Sequence, residues 1–293
     1  MTNKMKKVLI LVGLLTAALV SLEAKEYSFK VKVSGKGQPM LLIPGLTCAG
    51  EVWEETVASL GKGYEYHVVT LPGFAGQAPI QTDKYLTAVG DELIDYLQSN
   101  KLEDAVVVGH SLGGFLSLYI GSKEPGLASK LIVVDGLPFL GALQNPAATA
   151  ESMEETATVM KKNMELQTAE QYEAMQPMML KSMVNSQEDI DVIMEWGRKS
   201  DQTTVAQAMY ELYTIDLRKD IERIKVPTLV FGAWIAYKNY GATKESTARL
   251  YHAQFENLSD YQLKMTDKGK HFVMLDDPEF FIDNVKAFLD EKS

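Results

Sequence analysis

The sequence predicts an α/β fold: a mostly parallel central sheet with helices on both faces and a helical cap inserted after the sixth core strand. Three observations predict it. Short, β-branched runs such as Met40-Leu41-Leu42-Ile43, Ala105-Val106-Val107-Val108 and Leu131-Ile132-Val133-Val134 alternate with stretches whose apolar residues recur at helical spacing. That rhythm makes right-handed crossovers and a parallel sheet buried on both sides. Asp104 to Gly121 compresses the pattern into strand, sharp turn and helix around Gly109-His110-Ser111-Leu112-Gly113. From about Leu137 to Ile215 the rhythm stops, and helix-forming sequence holds nine of the fourteen methionines.

In chain order, residues 1–24 differ in kind from the rest. Lys4, Lys6 and Lys7 precede the apolar run Val8 to Val20, and Ala24 closes a cleavage region, which is the pattern of a secretory signal peptide. The expected localisation is therefore export, to the periplasm or the medium of a bacterium. Tyr27 to Val33 alternates like a half-exposed antiparallel strand. Met40–Ile43 is a fully apolar strand that stops at Pro44-Gly45-Leu46-Thr47. Trp53 to Leu60 reads as a helix, Tyr66 to Leu71 as a strand closed by Pro72-Gly73-Phe74-Ala75-Gly76, and Tyr85 to Asn100 as a helix leading into the central turn. After the strand ending at Val134, Asp135 stands at its C-terminal end.

The segment 137–215 lies beyond the C-terminal edge of the sheet, where ligands of open α/β folds bind, and so reads as a cap over the pocket. Its methionines suit core filling, and some could line a pliable apolar pocket. Strands at Val226–Gly232 and Tyr261–Met265 flank a helix over Thr243–Leu258, and the loop Thr266–His271 precedes a last helix, Glu279–Asp290. The organisation is then a leader at 1–24, a core at 25–136 and 216–293, and a cap at 137–215.

Composition narrows the function. Loss of the leader, with three lysines and one glutamate, takes the formal charge from −10 to −12. Such an acidic chain is unsuited to nucleic acid or to an anionic membrane surface. Cys48 is the only cysteine, so no intramolecular disulfide forms, and no second ligand accompanies it to suggest a metal. No cofactor is expected. The expected partner is a small, mainly apolar molecule.

A serine between glycines at a strand-to-helix turn is left exposed at the helix N-terminus, because the glycines let the chain reverse without Cβ clashes. The plain alternative is a serine N-cap in an ordinary βα turn. Of the four histidines, His67 opens a strand, His110 precedes the serine and points away from it, and His252 sits in an amphipathic helix with Tyr251 and Phe255. His271 alone occupies a loop after the last strand, where a general base could reach the serine.

Taken together, Ile43-Pro44-Gly45-Leu46, Leu71-Pro72-Gly73-Phe74-Ala75-Gly76, the Gly-His-Ser-Leu-Gly turn, the strand Val226-Pro227-Thr228-Leu229-Val230-Phe231-Gly232 and the late His271 resemble the α/β-hydrolase family over nearly all of the mature chain. The resemblance implies a triad in the order serine, acid, histidine, with Ser111 as nucleophile and His271 as base. It also implies an oxyanion hole from the backbone N–H groups of Leu46 and Leu112. The usual acid position, three residues after Gly232, holds Ile235. Some family members place the acid after the preceding strand, where this chain has Asp135; Asp216, Asp267 and Asp276 are the rivals. A serine nucleophile disfavours the dehalogenases and epoxide hydrolases of the family, which use aspartate there. What the resemblance then implies is hydrolysis of an ester, lactone or thioester through an acyl-enzyme. The alternatives are C–C bond hydrolysis by the same serine and histidine, or a non-catalytic ligand-binding protein on the same fold, suggested by Ile235.

Overall fold

The structure is a computed structural model, and it describes residues 25–291 apart from 103 and 144. The leader expected at 1–24 lies outside the described residues. Seven strands, β1 (Lys30–Gly35), β2 (Gly37–Ile43), β3 (Gly63–Thr70), β4 (Ala105–His110), β5 (Ala128–Val134), β6 (Thr228–Gly232) and β7 (Tyr261–Met265), form one sheet in the order β1-β3-β2-β4-β5-β6-β7. Only β1 runs antiparallel; every other pairing is parallel. β1 starts three residues later than its alternating pattern suggests. The Ser28 N–H donates to Glu92 Oε1 at 2.7 Å, which draws Tyr27 and Phe29 onto Tyr96 instead of into the sheet.

Alternation along the strands divides the core in two. Leu41, Ile43, Val107, Leu131, Val133 and Val230 face one side, with the buried faces of helices α2 (Tyr85–Ser99) and α3 (Leu112–Lys123). Met40, Leu42, Val106, Val108, Ile132, Val134, Leu229 and Phe231 face the other, against helix α1 (Glu54–Leu60) and the C-terminal helix. Because successive side chains of a strand point to opposite faces, fully apolar runs belong in a sheet covered on both sides. The strand order reverses between β2 and β4, so the connections after them leave on opposite sides and open a crevice at their C-terminal ends.

Four helices lie between β5 and β6: α4 (Ala150–Glu165), α5 (Ala169–Met183), α6 (Gln187–Arg198) and α7 (Gln202–Thr214). The insertion follows the fifth strand of the described residues, not the sixth, because a single antiparallel strand, β1, precedes β2. Each helix begins on a residue made for the purpose: Thr149, Thr168, Ser186 and Asp201 accept backbone N–H groups three residues on. The chain then returns through β6, α8 (Lys244–Gln254), β7, the short helix α9 (Val273–Asp276) and α10 (Pro278–Asp290). α8 ends at Gln254 instead of Leu258, and α9 turns what read as open loop after His271 into one helical turn.

The insertion is tied to the core by a buried charge. Glu211 of α7 accepts the N–H of Tyr85 at 2.5 Å and of Leu86 at 2.8 Å, capping the free donors at the start of α2. Gln207 donates to the same carboxylate at 2.7 Å. Glu211→Ala leaves two buried N–H groups without acceptors, and the expected loss in urea unfolding is about 1–3 kcal/mol. A loss within the error of the measurement would mean that water or a neighbour caps α2 equally well.

Candidate active site

Register places the predicted residues side by side. Ile43 pairs with Gly109, so Gly45 and Leu46 follow β2 beside His110 and Ser111, which follow it on β4. His110 pairs with Val134, and the Ser111 N–H donates to the Val134 carbonyl at 2.8 Å, so Ser111 and Asp135 leave adjacent strands at the same level. Close approach here depends on glycine. A Cβ on Gly113 would lie 2.2 Å from the Ile43 carbonyl oxygen, and one on Gly109 2.0 Å from that of Gly113. No side chain fits at either position without moving the turn.

Ser111 adopts φ 54° and ψ −114°, and Asp135 φ 48°, conformations that L residues hold only when surrounding structure imposes them. Ser111 is the last residue before α3, and the N–H of Leu112 begins that helix. Neither the Leu112 N–H nor that of Leu46 has a hydrogen-bond acceptor among the described residues. A Cβ on Gly45 would sit 3.2 Å from the Ser111 Cβ, which measures how closely the Pro44–Leu46 turn approaches the serine.

Asp135 is held from three directions. Its Oδ2 lies 2.5 Å from His271 Nδ1, its Oδ1 accepts the Ala233 N–H at 2.9 Å, and the Tyr251 hydroxyl donates to the same Oδ1. The side chains of His271 and Asp135 are only 19% and 11% exposed. The rival acids are engaged elsewhere. Asp267 pairs with Lys244 at 2.8 Å on the surface, and Asp216 with Arg218 at 2.6 Å. Asp276 accepts the N–H of Lys270 at 2.8 Å and that of Asn185, also at 2.8 Å, so it holds the backbone of the histidine loop without touching the ring.

The other histidines have their own partners. His67 lies inside β3, not at its start, between the Tyr96 hydroxyl at 2.7 Å and Glu65 at 3.0 Å, and His252 faces the Tyr261 hydroxyl at 2.6 Å. His110 is fully buried beneath His271, with ring centroids 4.6 Å apart, and packs at a tilt against Phe272. Burial, reinforced by the neighbouring His271, holds its pKa well below the usual histidine range, so it stays neutral and its Nε2–H donates to the His271 carbonyl at 3.2 Å. Cys48, also buried, is held as the thiol by desolvation, with its pKa pushed up to about 12.

Ser111, Leu112, Asp135 and His271 open onto a cavity of about 460 Å³. Its walls are Leu137, Leu140, Leu143 and Leu212 from the insertion and Ala233, Tyr237, Ala242, Ser246, Thr247, Leu250 and Tyr251 from the segment after β6. Among the described residues no methionine lines it, so the reading that some of them line a pliable pocket does not hold. Met175, Met178 and Met179 are exposed on α5, and Met194, on α6, is buried in the core. Among the described residues, no lysine or arginine lines the cavity, and its only carboxylate is Asp135. Among the described residues, no three His, Cys, Asp or Glu side chains are grouped to hold a metal ion.

Sequence reasoning did not find Tyr251 or the Ala233 N–H. Both meet Asp135 only because β5, β6 and α8 pack together, and no local pattern encodes that meeting. Ile235 was the one signal, since an apolar residue at the usual acid position implies that the acid and its partners lie elsewhere.

The sequence profile of the Alpha/beta hydrolase family matches residues 40–284. A pimeloyl-[acyl-carrier protein] methyl ester esterase of Vibrio cholerae is 26% identical over 268 residues, covering 88% of this chain and 96% of that protein. Among solved structures, the enol-lactonase from Burkholderia xenovorans LB400 superposes with a TM-score of 0.72 at 15% identity, over 90% of this chain and 96% of that one. An esterase from Exiguobacterium antarcticum superposes with a TM-score of 0.70 at 20% identity, with the same coverage.

Proposed function

The chain belongs to the alpha/beta hydrolase family, and from that membership we propose that it is a serine esterase cleaving uncharged carboxylic esters through Ser111, His271 and Asp135. The observation that carries the proposal is the 2.5 Å contact between Asp135 Oδ2 and His271 Nδ1, beside a serine strained to φ 54° on the same cavity. A carboxylate on Nδ1 fixes the tautomer that leaves Nε2 free to accept a proton. Ser111 Oγ attacks the ester carbonyl while His271 Nε2 takes its proton. Asp135 stabilises the imidazolium, and the N–H groups of Leu46 and Leu112 hold the oxyanion. Collapse of the tetrahedral adduct returns the proton to the leaving alcohol, and water repeats the sequence on the acyl-enzyme.

Helices α4–α7 act in this proposal as a cap whose leucines meet the substrate. A largely apolar cavity without a lysine or arginine disfavours a charged acyl group, because a carboxylate buried there would lose its hydration with no permanent cation to replace it. The Vibrio relative is named for a methyl ester, which supports ester chemistry in general. Export belongs to the same proposal, on the strength of the lysines and apolar run at the N-terminus.

In p-nitrophenyl butyrate hydrolysis, Ser111→Ala is expected to lower kcat by roughly 10⁴- to 10⁶-fold and Asp135→Asn by roughly 10³- to 10⁴-fold. Asparagine variants of Asp216, Asp267 and Asp276 should lose less than about tenfold each, since they lie outside reach of the imidazole. Near-full activity in Asp135→Asn with collapse in a rival would reassign the acid. Across a series of p-nitrophenyl esters, acyl chains ending in a carboxylate should show kcat/KM at least about tenfold below neutral chains of equal length; equal rates would remove the assignment of uncharged substrates. Fractionation of a bacterial host should recover processed protein from the periplasm or medium, and full-length protein in the cytoplasm would refute export.

A further inference from the structure

The Asp135 carboxylate carries two more donors than the proposed triad uses. Its Oδ2 faces His271, while Oδ1 takes both the Ala233 N–H and the Tyr251 hydroxyl. The Tyr251 side chain is buried, with its ring lodged against Gly232, where an added Cβ would stand 3.0 Å from a ring carbon. It stacks in parallel on Phe255, at an interplanar angle of 3° and a centroid distance of 6.4 Å. α8 is pinned just beyond it, since Gln254 Nε2 donates to the Phe139 carbonyl at 2.9 Å. The phenol therefore sits on a packed helix and aims at the acid.

We propose that Tyr251 is a positioning residue for hydrolysis, which fixes the Asp135 carboxylate with Oδ2 toward His271 and sets how strongly that carboxylate draws on the imidazole. The proposal rests on the triad reading above. A carboxylate rotates freely about its last torsion unless both oxygens are held, and here the backbone N–H and the phenol hold Oδ1 from two elements. A donor to an ionised carboxylate also stabilises its charge and lowers its basicity. With the phenol in place, Asp135 stabilises imidazolium less than a bare buried carboxylate would. Burial, and then the adjacent Asp135 charge, push the Tyr251 pKa far above the usual tyrosine range, so it stays a donor at any working pH. The other titratable groups near the pair are His110 beneath His271, held neutral, and Tyr237 in the 3-10 turn Ile235–Tyr240, its pKa raised by burial and by Asp135. Among the described residues, no lysine or arginine on the cavity wall competes for the carboxylate.

The test is Tyr251→Phe, which keeps the ring, its stack and its contact with Gly232, and removes only the donor. On a neutral ester it should lower kcat by roughly 5- to 50-fold, the loss of a hydrogen bond to a charged group, with KM changed less than about twofold. The acid limb of kcat/KM should move up by about half a pH unit or more, because the freed carboxylate holds the imidazole proton more tightly. Phe255→Leu is the control for packing: it loosens the ring's support without touching Asp135 and should leave the acid limb in place. Should Tyr251→Phe fold poorly, 3-fluorotyrosine at position 251 supplies a stronger donor of the same shape and should move the acid limb to lower pH. An unmoved limb in the folded variant, or an equal shift in Phe255→Leu, overturns the role. Asp135→Asn, assayed alongside, separates the two levels. If it stays active, the triad reading has failed; if it collapses while Tyr251→Phe matches the wild type, only the role of Tyr251 has.

Discussion

The site depends on one carboxylate held at the end of a buried strand. Asp135 leaves β5 with a positive φ, and a residue strained in this way persists only where its neighbours over-determine it. They do so here through its own N–H, which donates to the Phe231 carbonyl at 2.9 Å, and through the three donors on its oxygens. A buried charge without such partners would shift its pKa and neutralise. Here a backbone N–H, a phenol and an imidazole satisfy its two oxygens at the edge of a largely apolar cavity.

The same parallel register that pairs β4 with β5 brings Ser111 level with Asp135. That leaves the histidine with the longer path, because its loop follows β7, two strands away from β5. The chain bridges this span with backbone anchors: Thr266 Oγ1 donates to Asp277 at 2.6 Å and accepts the N–H of Gly269 at 3.0 Å, and Asp276 accepts that of Lys270. His110 then supports the His271 carbonyl from below. A neutral, buried histidine suits this place, since a second positive charge 4.6 Å from His271 would oppose formation of an imidazolium there.

Much of this was legible in the sequence. Short apolar runs and helical spacing identified the sheet and its flanking helices, and glycine on either side of Ser111 marked the turn. His271 stood out because it alone of four histidines follows the last strand without belonging to an element. The choice among aspartates was only half legible: Ile235 excluded the usual position, but nothing local separated Asp135 from a strand-end aspartate with a capping role. Tyr251 was invisible, since on α8 it reads as one more apolar residue facing the core. The methionines misled for a related reason. Composition placed them in the insertion, but which helix face meets the cavity is decided by how α5 and α6 dock, and the leucines of residues 137–143 and α7 take that wall.

The insertion does more than supply a wall. Phe272, adjacent to His271, donates its N–H to the Met183 carbonyl at the end of α5 at 3.2 Å, and Asn185 donates both its backbone N–H to Asp276 and its side chain to the Lys268 carbonyl. Lys270 reaches the Lys181 carbonyl at 2.6 Å. The loop that carries the histidine is thus bonded on one side to the core and on the other to the segment joining α5 to α6. At its other end the insertion reaches the core through Glu211, one residue before Leu212 on the cavity wall. Any displacement of these helices, by substrate or by mutation, is felt both at the leucines that meet the ligand and at the backbone that holds the imidazole. In the proposed mechanism, substrate fit and base position are therefore coupled through the same four helices, and a change in the insertion that alters the cavity without moving the histidine would have to leave Met183 to Asn185 where they are.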